Sequence, residues 1–311
     1  MYPIRFEPIY QDYVWGGERI ARSFHRTVNQ SRVAESWEMS DRADAMSVVM
    51  NGPLKGKTLH QLVEEMGEKL LGEHQKFDRF PLLLKIIDAK ENLSIQVHPD
   101  EATAPALGGE PKTESWIMLD DGAVYVGLKK EVTQKEFLEA VAHKKAEELI
   151  EKLDLKKGET VYIPGGRVHS ICAGSLIYEI QQNSDTTYRL YDWGRKGREL
   201  HLKEGAAAMC WDDRTDPKIS PRHISSDLEH QLVTLISCPF FIVDRYDVFK
   251  QFHIAAIPKT FQIFFCLEGD AEIQVDAHKE PFKPGMTYLI PAACHGIDIL
   301  GKCQLLRIRL P

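Results

Sequence analysis

Residues 155–171 read LKKGETVYIPGGRVHSI, and residues 282–297 read FKPGMTYLIPAACHGI. Both run Gly, five residues, Pro, small residues and His: Gly158, Pro164 and His169, then Gly285, Pro291 and His295. A glycine that opens a turn, a short β-branched and aromatic run and a closing proline describe a strand with abrupt ends. Upstream, WIMLDDGAVYVGL (116–128) resembles FFCLEGDAEIQVD (264–276). A repeated strand–turn–strand unit predicts two related antiparallel β-barrels.

The rest of the chain agrees. PLLLKIIDA (81–89), SLIYEIQQ (175–182), TTYRLYDW (186–193) and FFIVDRYDV (240–248) are short, rich in β-branched or aromatic residues, and bounded by Gly, Pro, Asn or Asp. Two segments read as helices. In 58–72, Leu59, Leu62, Val63, Met66 and Leu70 form a stripe behind a Thr58/Gln61 capping box. In 133–153, Thr133 and Glu136 form a second box, with Phe137, Val141, Leu149 and Leu153 along it. A shorter helix is expected over 201–209. The polar stretch 211–227, WDDRTDPKISPRHISSD, reads as a linker. The expected domains are therefore 1–215, carrying the chemistry and both long helical segments, and 216–311.

The chain has 311 residues, 43% hydrophobic and 27% charged, with a formal net charge of -7. An acidic chain without a basic block argues against nucleic-acid binding. No run is apolar enough to span a bilayer and no signal core opens the chain. Six cysteines without a CxxC pair read as reduced, mostly buried thiols. The expected setting is cytoplasmic, with a small-molecule partner, no membrane, and a monomer or weak homodimer.

Polar residues in apolar strands point to chemistry. In LSIQVHPDE (93–101), Gln96 and His98 lie two apart and share a strand face. Glu114 follows the loop ATAPALGGEPKTE, and His169 closes the Pro-Gly-Gly-Arg-Val-His turn. Two imidazoles, a carboxylate and an amide oxygen suit a four-ligand site for a borderline metal such as zinc. His295 lacks a spaced partner and is expected to be structural or partly exposed, leaving 216–311 without a metal site. Trp15, Trp37 and Trp116 are expected in the core, and Glu35 and Glu38 as strand-face carboxylates outside catalysis.

Gly158, Pro164, Gly166 and His169 match the second cupin motif, G-x5-P-x-G-x2-H. In cupins that histidine and an H-x-H pair hold a metal; here Gln96 stands at the first histidine of the pair. This departure points to one family. NLSIQVHPD (92–100), PKTESW (111–116) and IPGGRVHSI (163–171) resemble the zinc-dependent type I mannose-6-phosphate isomerases, in their short bacterial form. PIYQDYVWGG (8–17) and AESWEMSDR (34–42) add to the likeness.

The resemblance implies a mainly β fold of two cupin-like, jelly-roll antiparallel barrels with few helices. It implies one Zn2+ on Gln96, His98, Glu114 and His169, and interconversion of mannose 6-phosphate and fructose 6-phosphate through an enediol. Glu179 and Arg189 have the family's mutual spacing, and Lys112 matches the lysine of its K-x-E motif. Arg189 would bind substrate oxygens or stabilise an anionic intermediate, since guanidinium is a poor base. Glu179 would carry a proton or hold Arg189, and Lys112 would meet the sugar, the phosphate or a proton in flight. Glu179, Lys112 and a metal-bound water all remain candidates for the base. Arg195, Lys196 and Arg198 form either a phosphate-binding loop or a solvated turn. A non-catalytic cupin that binds a sugar phosphate as sensor or scaffold is the alternative, and an iron-dependent oxygenase a weaker one.

Overall fold

The computed structural model describes residues 1–311. Strands far outnumber helices, and the strand ladders are antiparallel. The chain divides into two compact units: Met1–Ile9, Glu38–Pro81 and Ser220–Pro311 in one, Tyr10–Trp37 and Leu82–Ile219 in the other. Their last crossing point, after Ile219, lies inside the 211–227 stretch. The boundary is not a single cut, however. Residues 1–9 and 38–81, the latter with the first helical segment, group with the C-terminal sheet.

In the Tyr10–Ile219 unit, two sheets carry the strands that matter for the site. The larger has the order Ile9–Gln11, Glu35–Met39, Leu82–Asp88, Leu176–Gln182, Glu114–Met118, Thr160–Ile163, Lys218–Ile219. The smaller runs Tyr188–Tyr191, Ile95–Val97, His169–Ile171, Gly122–Leu128, Ile150–Leu155. Leu82–Asp88 is buried along its whole length. A near-continuous apolar run, rather than alternation, is what a strand covered on both faces requires. Trp116, Ile163, Val126 and Ile171 belong to one buried cluster drawn from both sheets.

The other unit holds an eight-stranded sheet built around Gly296–Arg309 and Gln262–Val275. The repeat is visible in its backbone. Gly158 and Gly285 take φ of 83° and 81°, the left-handed conformation glycine allows, and each precedes a four-residue strand. Upstream the copies diverge. In the first, Glu114–Met118 and Gly122–Leu128 are separated by a turn; in the second, Gln262–Val275 is one strand with a register shift near Cys266. A bulge there replaces the turn.

Both capping boxes form, but the helices they start are shorter than the periodicity predicts. Gly67, at φ 46°, breaks 58–72 into Leu59–Met66 and Glu68–Leu71. The 133–153 segment is α-helical only over Gln134–Ala142; Lys144 turns left-handed, Ala146–Leu149 forms a single 3-10 turn, and Ile150–Leu155 joins the sheet beside Gly122–Leu128. Leu153 therefore faces a sheet core, not a helix stripe, because edge pairing overrides local helix propensity. The short helix is Leu202–Ala208. No helix is long and apolar enough to cross a membrane. All six cysteines are free, and Cys172, Cys266, Cys294 and Cys303 are buried.

Candidate active site

Register explains why scattered polar residues meet. In the smaller sheet, Gln96 pairs with His169 on one side and Arg189 on the other. Cross-strand partners share a face, so Arg189, Gln96 and His169 form one polar row. In the larger sheet, Glu179 pairs with Lys85 and with Trp116, which makes a second row. The rows meet where the Trp116 and His169 rings lie edge to face, 5.4 Å apart.

His98, Glu114 and His169 are all buried, and their ligand-type atoms lie within 4.8 Å of one another. His98 Nε2 and His169 Nε2 are each 3.4 Å from a Glu114 oxygen. Each imidazole is tethered at its far nitrogen: His98 Nδ1 donates to the Thr186 carbonyl and His169 Nδ1 to the Arg167 carbonyl, both at 2.8 Å. Those bonds make both Nε2 atoms the unprotonated ones, beside Glu114, with Lys112 Nζ 3.3 Å from His98 Nε2; this is the arrangement in which backbone carbonyls orient metal-binding histidines. Burial, then the Lys112 charge, pushes the His98 imidazole down to about 3. Burial also lowers His169. Burial alone would raise the Glu114 carboxyl, but Lys112 and the histidines hold it well below the ordinary range. Two neutral imidazoles and a buried, ionised carboxylate suit a divalent cation. Gln96, beside His169 with its Nε2 3.3 Å from His169 Nε2, is placed to add an amide oxygen if that amide is turned.

The turn before His169 is locked to the strands around it. Gly166 N–H donates to the His98 carbonyl at 2.8 Å, and Gly165 N–H to Thr113 Oγ1 at 3.2 Å. Lys112 N–H donates to the Pro99 carbonyl at 3.0 Å. A Cβ on Gly165 would stand 2.7 Å from Asp100 Cα and 2.8 Å from the Pro99 carbonyl oxygen, both backbone. Gly166 has φ 89°. The Pro-Gly-Gly sequence is thus a steric requirement of bringing His169 against His98.

The turn is also held from outside by Arg167, which is 3% exposed. Its Nε and Nη2 donate to the two Asp213 oxygens at 2.6 and 2.8 Å, and Nη2 also bonds Thr215 Oγ1. Burial would raise the Asp213 carboxyl, but the Arg167 and Thr215 bonds hold it below the ordinary aspartate range. A carboxyl depressed on folding stabilises the fold above its unfolded pKa of about 3.9 and loses that contribution as pH falls through the folded value. Asp213→Asn is expected to cost about 3 kcal/mol at pH 7, because it strands a buried guanidinium. Denaturant midpoints should show the gap from wild type narrowing below about pH 3.9; a gap independent of pH would contradict this assignment.

Beside the triad runs a buried chain of alternating charge. Lys112 Nζ lies 2.8 Å from Glu114 and 3.9 Å from Glu179 Oε1. Lys85 Nζ lies 3.5 Å from Glu179 and 3.3 Å from Glu35. Trp116 Nε1 donates to Glu179 Oε2 at 2.9 Å, and Trp37 Nε1 to Glu35 Oε2 at 2.6 Å. Burial, reinforced by Glu114, raises the Glu179 carboxyl. Burial would lower Lys85, but Glu35 and Glu179 outweigh it and raise it. This chain floors a cavity of about 180 Å³ whose wall includes Tyr13, Lys85, Gln96, Lys112, Glu179, Asp185, Arg189 and Arg198.

All seven residues singled out from the sequence thus lie in one region of the Tyr10–Ile219 unit. Sequence reading passed over Lys85, Tyr13 and Asp185, and set Glu35 aside as non-catalytic, yet Glu35 also lines the cavity. Lys85 carries the same signal as Gln96: a lone polar residue in an apolar strand, LLLKII. Trp15 and Trp116 also contribute to the cavity wall, beyond core packing. Of the Arg195, Lys196 and Arg198 loop, Lys196 is exposed, while Arg195 and Arg198 both grip Asp192, at 2.7 and 3.0 Å, and Arg198 reaches the cavity. His295 is exposed.

Fold and site together define a cupin-type protein with a buried candidate metal centre beneath a charged cavity. Residues 4–150 match the family model for the phosphomannose isomerase type I catalytic domain, and residues 231–310 the mannose-6-phosphate isomerase cupin domain. The chain is 35% identical to mannose-6-phosphate isomerase ManA of Bacillus subtilis (strain 168), over 97% of both chains. It is 32% identical to a mannose-6-phosphate isomerase of Streptococcus mutans, over 94% of this chain and 93% of the relative. A crystal structure of the Bacillus subtilis mannose 6-phosphate isomerase superposes with a TM-score of 0.91 at 31% identity, covering 99% of both chains. The chain belongs to the type I phosphomannose isomerase family.

Proposed function

We propose that the chain is an aldose–ketose isomerase that interconverts mannose 6-phosphate and fructose 6-phosphate with one zinc ion, and that the Tyr10–Ile219 unit carries the reaction. The observation behind this reading is that His98, Glu114 and His169 converge from the two sheets, with Lys112 and Glu179 directly beside them. Gln96, His98, Glu114 and His169 would hold the ion. Once bound, it supplies Lewis-acid stabilisation of negative charge on the sugar oxygens at C1 and C2.

The remaining work falls to the chain. A base takes the proton from C2; the C–H electron pair becomes the C1–C2 double bond while the C1 carbonyl π pair moves onto O1, which is protonated, giving the enediol. O2 then gives up its proton and re-forms a carbonyl at C2 as the double-bond pair takes a proton at C1. Lys112 and Glu179 touch each other and both reach the cavity, so either can take that proton and the pair can pass it on. Trp116 fixes one Glu179 oxygen and leaves the other toward the lysines. Arg189 reaches the same cavity, and its buried Nε has no hydrogen-bond partner; it binds substrate oxygens or phosphate.

A coupled assay tests the proposal. Mannose 6-phosphate should be converted to fructose 6-phosphate and unphosphorylated mannose hardly at all. Tight binding of the sugar phosphate without turnover would favour the sensor or scaffold reading instead.

A further inference from the structure

Ser94 lies two residues before Gln96, just outside the strand Ile95–Val97, and is 1% exposed. Its Oγ is 3.0 Å from Gln96 Oε1. At the other end of the same amide, Gln96 Nε2 is 3.3 Å from His169 Nε2. That imidazole nitrogen carries a lone pair, because His169 Nδ1 already donates to the Arg167 carbonyl. The Gln96 amide therefore bridges Ser94 and His169, with its N–H end toward the histidine.

An amide nitrogen bearing hydrogens is no ligand. A cation shared with His169 needs the amide oxygen at that end, and half a turn about the terminal torsion exchanges the two. After the turn, the NH2 group faces Ser94. A serine hydroxyl both donates and accepts, so Ser94 serves Oε1 in one setting and Nε2 in the other. Alanine serves neither, and the end of the half-buried amide that faces Ser94 would lose that partner, which is unfavourable.

We propose that Ser94 is a positioning residue for the metal centre: its hydroxyl holds the Gln96 amide in both settings, so that the carboxamide oxygen can face the metal while the other end of the amide keeps its partner. This rests on the reading of Gln96, His98, Glu114 and His169 as a metal site. The test is zinc affinity by equilibrium competition with a chromophoric chelator, on wild type, Ser94→Ala, Gln96→Ala and the double variant.

Ser94→Ala is expected to weaken zinc binding about tenfold or more. Added to Gln96→Ala, the same change should weaken it no further, because the two residues act as one unit. Unchanged affinity in Ser94→Ala, or an equal loss in the Gln96→Ala background, overturns the proposal while the metal reading stands. A wild-type chain with no zinc affinity overturns both.

Discussion

Glu114→Gln should abolish turnover of mannose 6-phosphate, with a drop of about 10³-fold or more, and should release the metal. The substitution keeps the size of the side chain and removes only its charge. Glu114 is the single anion among His98, His169 and Gln96, and its buried carboxylate has the Lys112 ammonium as its charged neighbour, 2.8 Å away. A divalent ion surrounded by neutral ligands in a buried site lacks the charge that offsets its lost hydration. Turnover falls because charge developing on the sugar oxygens loses its stabilisation, an effect of several kcal/mol. Metal analysis after dialysis, together with the coupled assay, reads both outcomes. Full metal content with undiminished kcat in Glu114→Gln would remove Glu114 from the ligand set.

Lys112→Met is expected to separate proton transfer from metal binding. Lys112 is 4% exposed and lies between Glu114 and Glu179. Methionine keeps most of the apolar stem and deletes the charge and the donors. With zinc present, Glu114 still has a counter-ion, so metal content should stay near wild type. General acid–base groups contribute about 10²–10⁴-fold, and kcat should fall by that order, with KM changing less. Glu179→Gln gives the comparison: if the pair passes the proton between them, each single change should cost about as much as both together. A large rise in KM with kcat preserved would instead make Lys112 a phosphate or sugar contact.

How much of this was legible beforehand depends on the distance over which each signal acts. Gln96 and His98 are two residues apart, and strand alternation alone placed them on one face. The capping boxes at Thr58 and Thr133 are equally local, and both form. His169 was readable because the glycines before it answer a steric need, visible as the close approach of Gly165 to Asp100. The row Lys85–Glu179–Trp116 was not readable, because it exists only through the register of three strands distant in sequence. Glu35 joins it through Lys85 and was set aside for the same reason. The end of the 133–153 segment was misread because Leu149 and Leu153 fit a helical stripe, whereas the chain spends Ile150–Leu155 on sheet pairing with Gly122–Leu128. The grouping of 38–81 with the C-terminal sheet has no local signal at all.

The central claim is that isomerisation depends on one ion held by Gln96, His98, Glu114 and His169. Titrating zinc into chelator-stripped protein while following fructose 6-phosphate formation tests it most directly. Turnover should be near zero in the stripped protein, rise linearly with added zinc, and break sharply at one equivalent per chain. Full turnover before any metal is added, in protein shown by elemental analysis to be metal-free, would contradict the account.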